Sequence, residues 1–290
     1  MKTSLSTVIF ALSLCVTLGG TVLAASTGEP VWPGAAPNES AQTTEVGDLT
    51  VPVWIYCPPE EKTSDACLIV APGGAYSHLA VEHEGSSVAE RFNQQGITVV
   101  ILHYRIPRRE NLPKHLPAWQ DAQRTVRIVR SHAEEWGIDP EKIGMLGFSA
   151  GGHLTLMTAT SSSVSSYEPV DDLDRTVPCH LNFAVPIYPA YVLSDGVDSA
   201  NKDRGYGATM VDDFLFDEKT PPICLIHGDT DPVASLGSIA VYEKVHQKEI
   251  PCELHILAGL GHGFGTRPTD DHAGDWPERV GAWMRAIGVY

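Results

Sequence analysis

The stretches 66–70, 97–102, 142–146, 182–188 and 222–227 are apolar throughout rather than alternating. A strand with one wet face alternates, so unbroken apolar runs of this length predict strands buried on both faces. Helical patterns lie between them. The clearest spans 117–136, where Ala118, Ala122, Val126 and Val129 recur at three- and four-residue spacing and Gly137 closes the run. Another runs from about 84 to 95 and stops at Gly96. A further strand is expected at 49–55, and a short apolar run covers 253–257. Strands alternating with helices of this length predict an α/β fold: a mostly parallel, doubly wound sheet with helices on both faces, in a single domain. In such sheets reactive groups gather in the loops beyond the carboxyl ends of the strands.

The 290 residues suit one large core. Residues 1–24 stand apart: Lys2 gives a positive start, 8–18 is mostly apolar, and Val22-Leu23-Ala24 ends in the kind of residue a signal peptidase accepts. The expectation is a cleaved secretory signal, hence a secreted or periplasmic protein. The apolar run is shorter than the ~20 residues that span a bilayer, so no stable membrane insertion is expected after cleavage. Residues 25–48, with Pro30, Pro33 and Pro37, read as an extended N-terminal arm, and 49–290 as the main domain. Beyond the signal stand Cys57, Cys67, Cys179, Cys224 and Cys252, with no C-x-x-C pair. Export permits a disulfide but the sequence does not demand one; Cys57 and Cys67 flank a turn, and a hairpin there is one way to bring them together. Cys67 and Cys224, inside apolar runs, read as buried thiols. The net charge of −16 argues against nucleic acid and anionic membranes as partners and favours a neutral substrate, although acidity also serves solubility.

Gly147-Phe148-Ser149-Ala150-Gly151 is a G-x-S-x-G pattern between the run 142–146 and a small-residue segment able to start a helix. A serine on such a strand-to-helix turn has its hydroxyl lifted clear of the backbone. As a nucleophile it needs a base, a carboxylate to orient the base, and donors for the oxyanion. The run 222–227 breaks into His227-Gly228-Asp229-Thr230-Asp231-Pro232, where Asp231 is the preferred carboxylate and Asp229 the reserve; both also suit a plain turn. His262, ringed by Gly259, Gly261, Gly263 and Gly265, has no evident packing role and is the preferred base. Gly73, Gly74 and Ala75 follow a strand and leave backbone N–H groups uncrowded. With the amide of Ala150 they form the expected oxyanion hole. The chain order Ser149, Asp231, His262 differs from that of chymotrypsin and of subtilisin.

Tyr76, His78 and Glu84 are the candidate substrate contacts: Tyr76 and His78 would overhang the site, and Glu84, beside His83, would support the oxyanion loop, meet substrate or simply start a solvated helix. Trp119, Trp136, Trp276 and Trp283 read as core. Asp270-Asp271-His272 does not read as a metal site, because adjacent residues rarely converge on one ion, and no metal is expected.

These motifs resemble the α/β-hydrolase superfamily, in its esterase/lipase branch. Residues 72–80, Glu82-His83-Glu84-Gly85, His103-Tyr104-Arg105 and 147–154 are similar to secreted bacterial acetylxylan esterase-like proteins of the feruloyl and acetyl xylan esterase group. The resemblance spans roughly the mature domain. It departs at Ala71, where the wider branch often has histidine, and at Ala75, in place of a third glycine; neither removes a backbone N–H. It implies Ser149, Asp231 and His262 as a catalytic triad, no cofactor, and a small ester or acylated polysaccharide as substrate. A peptidase or amidase on the same fold, and an exported binding protein without turnover, remain the alternatives, and oligomeric state is open.

Overall fold

The computed structural model describes residues 28–39, 52–194, 208–267 and 272–290. The expected signal, and Asp270 and Asp271, lie outside them. In chain order the elements are β1 (Glu29–Pro30), β2 (Val53–Cys57), β3 (Cys67–Ala71), α1 (Ser87–Asn93), β4 (Thr98–His103), α2 (Leu116–Ser131), α3 (Ala133–Trp136), β5 (Ile143–Phe148), α4 (Ala150–Thr160), α5 (Asp172–Thr176), β6 (Phe183–Ile187), β7 (Ile223–Gly228), α6 (Leu236–Gln247), β8 (Cys252–Leu257) and α7 (Trp276–Ala286). Among the described residues one sheet has the order β1-β2-β4-β3-β5-β6-β7-β8. β1, β2 and β4 run antiparallel to their neighbours in turn, and from β4 to β8 every pairing is parallel. Every residue of β3, β5, β6 and β7 is buried, as unbroken apolar runs require. The core divides into two clusters. One gathers Ile69, Val100, Met145 and Leu225 with α2 residues, and the other Leu68, Val70, Phe148 and Ile226 with α1 and α7 residues. Among the described residues no helix is long and apolar enough to cross a membrane.

Three local outcomes refine the expected elements. The pattern over 117–136 is split between α2 and α3 at His132, whose φ of −94° and ψ of 5° leave the helical region. The pattern starting near 84 opens with a π turn, Glu82–Ser86, before α1; this wider turn seats Glu84 in the interior, 3% exposed. Trp119, Trp276 and Trp283 are buried, and Trp136 is partly so.

A Cys57–Cys67 hairpin, one of the alternatives, does not form, because β4 lies between β2 and β3. The five cysteines among the described residues are free thiols, and burial pushes Cys57 up to about 11 and Cys67 up to about 12. The described part of the arm is packed rather than free: Val31 and Trp32 are buried, and the Trp32 indole donates to Asp121 at 2.7 Å. Arg105 donates to the Pro37 carbonyl and pairs with Asp121 at 2.9 Å, which holds the arm against α2.

Candidate active site

The register of the sheet brings the site together. β3 and β5 align Ala71 with Gly147, so the chain two residues beyond this pair places Gly73 beside Ser149. A Cβ added to Gly73 would lie 3.0 Å from the Ser149 Cβ. Ser149 has φ 52° and ψ −115°, a strained backbone for a residue with a side chain, of order 1–3 kcal/mol. Its own backbone holds it there: its N–H donates to the Ile187 carbonyl, and its carbonyl accepts from His153 and Ala190. The flanking glycines are required by close approach. A Cβ at Gly147 would meet the Gly151 carbonyl at 2.1 Å, and one at Gly151 the Ala71 carbonyl at 2.1 Å.

β7 and β8 carry the partners, aligned so that Gly228 faces Leu257. From the loops beyond, His262 Nδ1 donates to Asp231 at 2.8 Å and 3.0 Å, and His262 Nε2 accepts the Ser149 hydroxyl at 2.8 Å. The Asp231 side chain is fully buried, whereas the His262 ring keeps 28% of its surface, so the orienting carboxylate is dry and the imidazole faces outward. Burial alone would raise the Asp231 carboxyl. Hydrogen bonds from His227 and His262 outweigh it and hold the group below its ordinary value, ionised. His227 is fully buried under Asp231, its Nε2 donating to the Val233 carbonyl at 2.8 Å with the carboxylate at 3.4 Å, while Ser238 meets Nδ1 at 2.8 Å. Asp229 caps the neighbouring loop through the Gly259 N–H at 2.5 Å and takes no part in orienting His262.

The loop after β3 turns sharply: Gly74, Ala75 and Tyr76 all have positive φ, and the Gly74 carbonyl accepts from Ser77 and His78. Among the described residues the N–H groups of Gly74, Ala75 and Ala150 donate to no other protein group, the last as the first amide of α4. Gly73, expected as a fourth donor, is not available. Its N–H is given to Glu84 Oε2 at 2.8 Å. Glu84 is therefore not a substrate contact but the buried support of the loop. Its other oxygen accepts the Tyr188 hydroxyl at 2.8 Å, and that hydroxyl accepts the Gly265 N–H at 3.0 Å. Burial and the Glu84 charge push the Tyr188 phenol well above its ordinary value, so it remains a donor. Its ring edge packs on His262 at 5.0 Å. Tyr76 also departs from expectation: it is 1% exposed, its hydroxyl within 2.8 Å of His153 Nδ1, and lines the interior rather than the site mouth. His78 is exposed on the same loop.

Tyr188 and His227 escaped the sequence reading because each closes an apolar run and counts there as strand; a polar atom at the carboxyl end of a buried strand was the available signal. Among the described residues, His115, His153 and Asp213 are the one group of side chains placed to hold a metal ion, and none of them belongs to the Ser149–His262–Asp231 relay.

Residues 53–193 match the BD-FAE family model. The acetylxylan esterase of Xylanibacter ruminicola is 28% identical over 80% of this chain and 48% of its own length. Endo-1,4-beta-xylanase B of Butyrivibrio fibrisolvens is 26% identical over 72% of this chain and 34% of its own length, so the chain spans half or less of these curated relatives. Among solved structures, the acetyl ester-xyloside bifunctional hydrolase from Caldicellulosiruptor lactoaceticus superposes with a TM-score of 0.74 at 28% identity, covering 92% of this chain and 99% of that one. A parallel sheet that carries its reactive side chains on strand-end loops, together with these likenesses, gives the chain the α/β-hydrolase fold, and its similarity lies with the esterases of that fold.

Proposed function

We propose that the protein is a secreted serine carboxylic-ester hydrolase that removes short acyl groups, acetyl above all, from carbohydrate. The observation that carries the reading is the continuous relay from Ser149 through His262 to Asp231, with 2.8 Å at each joint. Asp231 holds the imidazole with its proton on Nδ1, which leaves Nε2 to take the Ser149 proton as Oγ attacks the ester carbonyl. The oxyanion that forms is met by the amides of Gly74, Ala75 and Ala150, each such donor supplying about 3 kcal/mol of transition-state stabilisation. His262 returns the proton to the leaving sugar hydroxyl. It then draws a proton from water, which attacks the acyl-serine, and passes that proton to Ser149 Oγ as the acid leaves.

The acetylxylan esterase and acetyl ester-xyloside hydrolase relatives favour acetylated xylan-type substrates, and a chain of net charge −16 is suited to a neutral polysaccharide. The segment 1–24 favours export. The test is acetate release from acetylated xylan alongside p-nitrophenyl acetate and a peptide anilide, with wild type and Ser149→Ala. The expected result is turnover of the acetyl esters alone, lost in Ser149→Ala together with fluorophosphonate labelling. Full ester hydrolysis by folded Ser149→Ala would end the proposal, and faster anilide cleavage would move it to an amidase. The export part predicts a mature N-terminus near residue 25 in protein recovered outside the cytoplasm.

A further inference from the structure

One turn along α4 from Ser149, His153 is fully buried and only half satisfied. Its Nδ1 lies 2.8 Å from the Tyr76 hydroxyl, and its Nε2 is buried with no hydrogen-bond partner. Leaving such a nitrogen unpaired costs about 1–3 kcal/mol. A second imidazole with the same deficit stands beside it: His115 Nδ1, at the start of α2, is likewise buried and unpartnered, and the two ring centroids are 5.5 Å apart. Asp213 brings a carboxylate to the same point, so that one ligand atom from each of the three residues lies within 4.8 Å of the others.

We propose that His115 Nδ1, His153 Nε2 and an Asp213 carboxylate oxygen form a binding site for a divalent transition-metal ion of the zinc type. Two imidazole nitrogens with one carboxylate are a borderline ligand set that suits zinc rather than calcium or magnesium. Metal–ligand bonds of about 2.0–2.2 Å in a tetrahedron set ligand atoms about 3.3 Å apart, so closing on an ion draws Asp213 inward from its exposed loop. The fourth position is left to water.

The surroundings fit. Metal ligation by Nε2 selects the His153 tautomer with its proton on Nδ1, which then donates a hydrogen bond to the Tyr76 hydroxyl oxygen, the orienting partner that ligating histidines typically keep. The rings of Tyr76, Tyr191 and Phe214 pack edge-on around His153 at 5.4–5.9 Å and fix its orientation. Phe214 adjoins Asp213 and is itself buried, which anchors the loop that carries the carboxylate. The opposing charge is Lys114, whose ammonium sits 4.0 Å over the Tyr191 ring, and Asp213 balances it. The ion would tie the start of α2 to α4 and to the 213 loop. Through Tyr76 it would also steady the turn that carries the Ala75 amide. It takes no part in acyl transfer, and the proposal stands apart from the esterase reading.

The test uses the untagged full chain, stripped with EDTA and titrated with ZnCl2 by calorimetry, with Tm read on the same samples. Cobalt is used as a spectroscopic substitute. The expected result is one equivalent of zinc at micromolar or tighter Kd, a Tm raised by several degrees at saturation, and visible cobalt bands of four-coordinate intensity. His115→Ala and Asp213→Asn, both at partly or fully exposed positions, should lose the stoichiometric binding, the Tm rise and the cobalt bands. His246→Ala, an exposed histidine on α6, should keep all three. Zinc binding no tighter in wild type than in the His115→Ala/Asp213→Asn double variant would overturn the proposal, as would binding that survives both single changes and is lost in His246→Ala.

Discussion

Glu84 Oε2 accepts the Gly73 N–H at 2.8 Å, although one residue comes from the π turn before α1 and the other from the loop after β3. That single contact removes Gly73 from the set of free amides and fixes the loop that presents Gly74 and Ala75. Its acceptor is a carboxylate, and hydrogen bonds to charged groups contribute about 1.5–3 kcal/mol. Glu84→Gln keeps the length but has one acceptor oxygen to serve two donors. The expected outcome is a fall of about tenfold or more in kcat for p-nitrophenyl acetate, with KM little changed because Glu84 is buried away from the substrate. An unchanged kcat in a folded Glu84→Gln protein would show that the loop holds its own geometry.

Tyr188 extends the same relay to the loop of His262, since its hydroxyl donates to Glu84 Oε1 and accepts from Gly265. Tyr188→Phe preserves the ring edge against His262 but strips both polar partners of a buried bond. A loss of about 1–3 kcal/mol in urea-denaturation stability is expected. Because the two residues share one network, Glu84→Gln and Tyr188→Phe should be non-additive in kcat by at least ~0.5 kcal/mol in a double-mutant cycle. Strict additivity would mean the oxyanion loop and the histidine loop are held independently.

Asp231 is held below the ordinary carboxylate value, because hydrogen bonds from His227 and His262 outweigh the burial that would raise it. A carboxyl depressed in the folded state stabilises it at pH values above the unfolded pKa of ~3.9, and that contribution is lost as pH falls through the folded value. The stability gap between wild type and Asp231→Asn should therefore be full at pH 6–7 and shrink steadily below about pH 4. Urea midpoints across that range check it, and a gap that widened in acid would reverse the assignment. The same variant should lose a factor on the order of 10⁴ in kcat, since the amide no longer fixes the imidazole tautomer.

How far the chain could be read ahead of its structure follows from what each feature depends on. Strands buried on both faces announce themselves as unbroken apolar runs, and their order in the sequence was enough to put Ser149, Asp231 and His262 on strand-end loops. Contacts set by sheet order were out of reach. The β4 strand inserted between β2 and β3 is what separates Cys57 from Cys67, and nothing local to either cysteine signals it. Side-chain direction was equally hidden. Glu84 reads equally as loop support, substrate contact or solvated helix start, and the π turn that seats it inward has no local signal; Tyr76 reads as a loop aromatic and is carried into the core by a positive φ. His153 looks like one more residue of a helix start, and its deficit shows only once His115 and Asp213 are beside it.

Arg105 and Asp121 form a pair whose side chains are both fully buried, 2.9 Å apart. Arg105 also donates to the carbonyls of Pro37 and Pro117 and to Gln120, while Asp121 accepts the Trp32 indole, so the arm, the end of β4 and the first turns of α2 meet in one polar cluster. Removing one member leaves the other charge buried without its partner, which costs about 3–5 kcal/mol. Arg105→Ala should therefore lower the urea midpoint strongly, and Arg105→Lys should recover only part of it, because an ammonium cannot reproduce the planar fork that spans these acceptors. If the pair mattered only for its mutual attraction, replacing both members by apolar residues would cost the same as replacing one. The desolvation argument separates the two: Arg105→Met with Asp121→Leu should be more stable than Arg105→Ala alone. A double variant less stable than the single one would show that the hydrogen bonds to Pro37 and Trp32, rather than the charge pair, hold the arm in place.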